Sequence, residues 1–251
     1  MGQLDGRVAI ITGSAGAGVG QATARLFAAE GAEVVVTDIN TGRTERTATE
    51  LSEQFGRPIM GMPSDVRDRE SVEALVQATL DRHGRIDVLV NNAYRDIECR
   101  ADELTDEIWD AVVDVCLKGT FYCTRAVLPT MMQQRSGSIV SLASISSYTV
   151  QAAARRAHYS AAKAGIQGFM RGVAADMGEF GIRANVVMPA SVPNEWMRRT
   201  FGEEFFQNSG KNHPLQRGAR PEEIANVILF LASDEASYMT GEVVSAGALK
   251  A

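Results

Sequence analysis

The sequence predicts an α/β protein, a doubly wound (Rossmann-type) parallel sheet of about seven strands with helices on both faces. Three observations predict it. Short β-branched runs alternate with longer helical patterns along the whole chain. A turn carrying Gly13, Gly16, Gly18 and Gly20 joins the first strand to the first helix. Asp38 then ends the second strand about 20 residues further on. Alternation alone also suits a closed eight-stranded barrel, and the glycine turn decides for the open sheet, because it is built to bring a pyrophosphate onto backbone N–H groups at a helix N-terminus.

Each element follows from its local pattern. The run RVAIIT predicts a strand over 7–12, and the amphipathic stretch over 19–30 reads as a helix stopped by Gly31. EVVVT gives a strand over 33–37, followed by a helix over 41–55. A strand is expected over 58–63, then a helix over 68–83 that Gly84 closes. IDVLVN marks a strand over 86–91 and one long helix is expected over 106–134. The strand over 137–142 leads to a helix over 157–179, and the strand over 182–188 to a helix over 221–233 opened by Pro221. The last strand covers 242–246. Only 191–220 lacks periodicity, and is expected as a lid or as short irregular helices within one domain spanning 1–251.

Composition narrows the function. The net charge of −6 argues against a nucleic-acid or anionic-membrane surface. Apolar runs such as 8–11 and 227–232 are far too short to cross a bilayer, and the N-terminus carries no secretory pattern. Cys99, Cys116 and Cys123 are odd in number and lack metal-ligand spacing, which predicts reduced thiols in a cytoplasm and no metal site.

The chemistry is concentrated in YSAAK, where Tyr159 and Lys163 stand four apart and so share one helix face. An ammonium about 4 Å from the phenol is worth roughly 4 kcal/mol at an effective dielectric of about 20, which would lower the tyrosine pKa by up to about 3 units. A phenol tuned that way exchanges protons with an alcohol or ketone near neutral pH. Ser144 stands a short loop upstream. The carboxylate of Asp38 is placed to accept both hydroxyls of an adenosine ribose.

With LDGRVAIITG, the glycine turn, Asp38, SDV at 64–66, NNA at 91–93, Ser144, the Tyr159/Lys163 pair, GIRANVVMP and RPEEIANVILFLASDEASYMTGE in order, the chain resembles the short-chain dehydrogenase/reductase family over nearly its whole length. The resemblance implies an NAD-dependent oxidoreductase interconverting a secondary alcohol and a ketone. It makes Tyr159 the acid/base, Lys163 its tuning partner and contact to the nicotinamide ribose, and Ser144 the holder of the substrate oxygen. It assigns the cofactor to Gly13, Ser14, Gly16, Gly18, Val19 and Gly20 at the pyrophosphate turn, and to Asp38 and Ile39 at the ribose. Asp65 and Val66 would meet the adenine, Asn92 and Ala93 the adjoining backbone and ribose, and Pro189 and Val192 the carboxamide end. A carboxylate at 38 followed by Ile39 rather than a basic residue favours NAD over NADP. Arg43 and Arg46 are expected on the exposed face of the next helix.

The chain also departs from the family pattern. The glycine turn is one residue longer, Tyr94 stands where Gly is usual, Ala190 replaces a Gly, and the C-terminal AGALKA lacks the usual acidic-Gly-Gly ending. Cys116 takes the place of an Asn that the resemblance ties to a helix irregularity whose carbonyl holds a water leading to Lys163. Cys116 therefore enters the catalytic set as the position of that Asn, with a weakened or rearranged relay. The substrate pocket is expected at Tyr94, Ile145, Tyr148, Trp196 and Met197, with Phe201, Phe205 and Phe206 nearby, which suits an apolar or cyclic substrate. His158 is expected to be structural. The resemblance further implies a homotetramer built on the helices 106–134 and 157–179. The alternatives are a nucleotide-binding protein of this fold with impaired catalysis and a binding or regulatory role, or non-redox chemistry at the same site.

Overall fold

The computed structural model describes residues 2–149, 154–211 and 213–247. Strands β1 (Val8–Thr12), β2 (Glu33–Thr37), β3 (Met60–Gly61), β4 (Val88–Asn91), β5 (Gly137–Leu142), β6 (Ile182–Pro189) and β7 (Val243–Ala246) form one sheet in the order β3-β2-β1-β4-β5-β6-β7. Every pairing is parallel. Burial on both faces explains the near-continuous Val/Ile runs, since each successive side chain needs an apolar neighbour on alternate sides. In β1, Ala9 and Ile11 join one core while Ile10 joins the other; Val34, Val36 and Val35 in β2 split the same way.

The first core is closed by α1 (Val19–Ala29), α2 (Thr41–Phe55) and α9 (Pro221–Ala232), through Phe27, Leu51 and Ile228. The second is closed by α3 (Arg69–His83), α5 (Gly119–Gln134) and α6 (Ala157–Met177), through Leu75, Val127 and Met170. Strand order reverses between β1 and β4, so a crevice opens beyond the carboxyl ends of these two strands, and the functional residues gather there.

Three expected elements differ. The strand over 58–63 shrinks to Met60–Gly61 at the sheet edge, where only β2 offers hydrogen bonds. The long helix over 106–134 is α4 (Asp106–Val113), one π-helical turn (Asp114–Lys118) and α5. Hydrophobic periodicity is blind to this, because one inserted residue changes the hydrogen-bond register without breaking the helix. Within 191–220, where a lid or short irregular helices were expected, lie two short helices, α7 (Glu195–Phe201) and α8 (Glu203–Asn208), in accord with the second expectation. The helix expected over 157–179 ends at Met177 and passes into a 3-10 turn, Gly178–Phe180.

Candidate active site

The glycine turn is braced by the residues around it. Gly13 has φ 63, and a Cβ there would stand 2.9 Å from the Cα of Ala93. The side chain of Asn92 donates to the carbonyls of Thr12 (2.9 Å) and Gly13 (3.0 Å), while Thr12 Oγ1 accepts the N–H groups of Asn92 and Ala93. NNA is thus a clamp on the turn as well as its neighbour, a role its sequence did not disclose. Gly16 faces open space, so a phosphate meets no side chain there. Gly18 precedes α1, with Val19 opening it and packing on the core.

Ser14 corrects an expectation. Its hydroxyl is fully buried, donates to the carbonyl of Ile11 at 2.7 Å and accepts the Thr37 N–H at 3.1 Å, so it staples β1 to β2 and does not face a phosphate. Asp38 follows the end of β2, and Arg43 is exposed on α2 as expected. Its guanidinium reaches back to Asp38 Oδ1 at 2.8 Å, and that oxygen also accepts the Asn40 N–H. Both bonds go to Oδ1. Arg46 is exposed on α2 as expected, and Ile39 is exposed. Asp65 is held by Arg67, which lowers its pKa through side-chain hydrogen bonds of 2.7 to 3.1 Å, and Asp68 rather than Asp65 caps α3. Val66 is buried against Gly119.

Tyr159 and Lys163 lie on α6, whose first turn faces the loop after β5. Lys163 is buried, and its Nζ donates to the carbonyl of Leu142 at 2.6 Å while lying 5.7 Å from the centre of the Tyr159 ring. The expected lowering of the Tyr159 pKa is corrected here. Burial pushes the Tyr159 phenol well above its ordinary value, with the Asp96 carboxylate adding to the rise, and a side-chain hydrogen bond with Ser144 opposes it. Burial likewise pushes Lys163 down, toward losing its proton. Desolvation of the site outweighs the attraction that spacing alone suggested. Ser144 caps a 3-10 turn (Ile145–Ser147), accepting the Ser146 N–H at 3.2 Å.

Cys116 lies inside the π-helical turn, fully buried and packed with Val112, Ala162 and Tyr159. Its Sγ accepts the Arg95 N–H (3.5 Å) and donates to the Arg95 carbonyl (3.4 Å). A thiol therefore makes weakly the two-way contact that an amide makes strongly. The Cys116 carbonyl accepts the Thr120 hydroxyl at 2.7 Å. His158 is fully buried with both ring nitrogens unpartnered among the described residues.

Tyr94 and Tyr148 are about half exposed, and Ile145 and Met197 are partly buried. The side chains of Trp196, Phe201 and Phe205 lie outside what is described; Phe206 carries Arg198 over its ring at 5.8 Å. Pro189 ends β6, and Val192 packs on the core formed with α1 and α9. Among the described residues no group of His, Cys, Asp or Glu is arranged to hold a metal. Sequence reasoning overlooked Asp96, half-buried and 3.1 Å from Arg156; an acid just after NNA carries no signal that separates it from a solvated charge.

Residues 13–247 match the family model described as enoyl-(acyl carrier protein) reductase. The chain is 40% identical to a Mycobacterium tuberculosis (5R,7aS)-5-hydroxy-7a-methyl-1-oxo-2,3,5,6,7,7a-hexahydro-1H-indene-carboxyl-CoA reductase, over 97% of this chain and 93% of that one. It is 38% identical to the 3-oxoacyl-(acyl-carrier-protein) reductase of Thermotoga maritima, over 96% of each. A solved structure of a short chain dehydrogenase from Mycobacterium smegmatis superposes with TM-score 0.86 at 37% identity, covering 100% of this chain and 95% of that one.

Proposed function

The chain belongs to the short-chain dehydrogenase/reductase family of oxidoreductases, and on that footing we propose that it interconverts a secondary alcohol and a ketone with NAD as cofactor. The observation that carries the reading is Tyr159 and Lys163 on one face of α6, with the Lys163 Nζ buried against the Leu142 carbonyl and 5.7 Å from the centre of the Tyr159 ring. A bound nicotinamide gives or takes the hydride. The chain's own residues handle the proton. With its pKa raised, Tyr159 rests as the neutral phenol and is the acid that protonates a ketone oxygen. Ser144 orients that oxygen and, by bonding the phenol, favours the phenolate that the reverse direction needs.

The cradle suits a dinucleotide: a braced turn with an open face at Gly16, and Asp38 just past the end of β2. The carboxylate supports NAD, since it repels a 2′-phosphate. Arg43 beside it favours a second reading, use of NADP, because its guanidinium lies within reach of the same spot. Titrating NADH and NADPH by fluorescence separates them: NADH binds more tightly on the first reading, and Asp38→Ala narrows the gap about tenfold or more, a repulsion of about 1.4 kcal/mol.

Aromatic and apolar walls at Tyr94, Ile145, Tyr148 and Met197 suit an apolar or cyclic substrate. The names of the two relatives add CoA and carrier-protein thioesters to the candidates. Free Cys99, Cys116 and Cys123 suit a reducing cytoplasm. An absorbance screen over cyclic, aromatic and steroid-like secondary alcohols and over 3-oxoacyl and cyclic hydroxyacyl CoA esters finds the substrate. Tyr159→Phe then lowers kcat by about a hundredfold or more with cofactor affinity kept. Undiminished turnover in that variant sinks the assignment.

A further inference from the structure

Helix α6 continues its four-residue spacing one step past Lys163. Tyr159, Lys163 and Gln167 share one face of the helix over two turns. Gln167 is buried, at 5% exposure against 2% for Lys163. A core-facing position of that kind favours an apolar side chain, because a buried amide loses its water and must find partners. Gln167 finds them outside its own helix. Its Nε2 donates to the Ser147 hydroxyl at 2.7 Å and lies 3.8 Å from the Met188 sulfur. The Ser147 hydroxyl in turn donates to the Ser144 carbonyl.

This chain of bonds ends on the turn that carries Ser144. Inside the turn, Ser144 Oγ accepts the Ser146 N–H at 3.2 Å, the Ser144 carbonyl accepts the Ser147 N–H at 3.0 Å, and the Ile145 carbonyl accepts the Tyr148 N–H at 2.9 Å. Those bonds give the turn its shape, but none of them ties it to α6. The ties come from the catalytic face of the helix, on either side of Ser144. Lys163 Nζ holds the Leu142 carbonyl before it at 2.6 Å, and Gln167 holds Ser147 after it. Met188 adds the end of β6 to the junction, one residue before Pro189, with its sulfur 4.0 Å from Ser147 Oγ.

We propose that Gln167, acting through Ser147, is a positioning residue that sets where the Ser144 hydroxyl stands relative to Tyr159. The role rests on reading Ser144 as the holder of the substrate oxygen and Tyr159 as its acid, and it falls on two residues outside the motifs that carry the family resemblance. A hydroxyl that orients a reacting oxygen acts only from the right place, and a misplacement of about 1 Å costs up to about a hundredfold in rate. The pinned turn keeps Ser144 in that place while substrate comes and goes. Because Ser144 strengthens its hold as charge develops on the oxygen, the loss falls on kcat and leaves KM nearly alone.

The test follows NADH oxidation by the full chain with 3-oxobutanoyl-CoA as the ketone. Ser147→Ala and Gln167→Met, the second close in volume but without a donor, each lower kcat about tenfold while KM moves by less than about threefold. NADH still binds one per chain with its affinity kept. Ser147→Thr, which keeps the hydroxyl, recovers most of kcat. The double variant Ser147→Ala/Gln167→Met loses no more than the slower single one, since either change breaks the same chain of bonds. Wild-type kcat in either single variant overturns the proposal, as do losses that multiply in the double variant, or a fall in NADH binding that matches the fall in kcat. Should Gln167→Met fail to fold, the Ser147 variants decide, and a Thr variant as slow as the Ala one overturns the proposal. Should this ketone not be turned over, amide exchange of the peptide over 143–149 in the NADH complex takes its place. Both single variants speed that exchange about tenfold, and unchanged exchange overturns the proposal. Tyr159→Phe is assayed alongside: full activity there sinks the proposed function, whereas an inactive Tyr159→Phe beside an unimpaired Ser147→Ala sinks the positioning role alone.

Discussion

Cys116 shows how a single thiol can tie two segments together. It offers the backbone of Arg95 one hydrogen and one lone pair, at sulfur distances of 3.4 and 3.5 Å, and so keeps the segment after β4 against the π-helical turn. The three thiols differ in a way that chemistry can read. Burial pushes the Cys123 thiol up to about 12, Cys116 is sealed in its cluster, and Cys99 is partly exposed beside Arg100. Iodoacetamide at pH 8 is therefore expected to modify Cys99 and spare the other two in the folded chain, with mass spectrometry of the peptides as the measurement. At this scale the sequence told identity and order but not direction. It placed Tyr159, Lys163, Ser144 and Asp38 at the crevice. It gave no sign that Ser14 turns inward to join two strands, or that Arg43 folds back onto Asp38, because neither choice is written in local spacing. The direction of the Tyr159 pKa shift was misjudged for a related reason: spacing reveals a charge pair but not the loss of water around it.

The elements were read well where a pattern spans several turns and poorly where hydrogen-bond register or a short edge decides. Strand β5 and helix α2 have the expected bounds, since β-branched runs and amphipathic stripes mark them. The π-helical turn leaves no mark on periodicity, yet it is what brings Cys116 under Tyr159. Helix α9 gives a prediction at this scale. Glu223 reaches back to the Arg220 N–H at 2.8 Å and pairs with the Arg217 guanidinium at 2.7 Å, which holds its carboxyl down at about 2. Its folded pKa lies below the unfolded value of about 4.3, so the stabilisation is fully present above about pH 4.3 and is lost as pH falls toward 2. The difference in Tm between wild type and Glu223→Gln, measured calorimetrically, is expected to be constant from pH 7 to 5 and to shrink below that. A difference independent of pH would mean that the carboxylate's charge has no part in capping the helix.

For the molecule as a whole, the class of fold and the crevice were legible, while the sheet's order and its outer faces were not. One outer face is aromatic. Trp109, Phe121 and Tyr122 lie along α4 and α5, with Phe121 edge-on to Phe169 of α6 at 5.9 Å and Arg125 over the Phe121 ring at 4.8 Å. A patch of that kind suits contact with another copy of the chain. Light scattering is expected to find a particle of four 27.0 kDa chains, and Phe121→Glu to reduce it. The sheet order has a different bearing, on how the chain comes into being. Strand β1 is made first yet lies inside the sheet, with β4 as its second neighbour, 76 residues later along the chain from Thr12 to Val88. At about 5 to 20 residues per second on the ribosome, an apolar strand edge waits roughly 4 to 15 seconds for its partner. During that interval the nascent chain resembles a half-sheet with an open flank, the state most prone to pairing with a neighbour. Yield during expression should thus respond to slower growth temperature and to holdase chaperones more strongly than the stability of the finished protein would suggest.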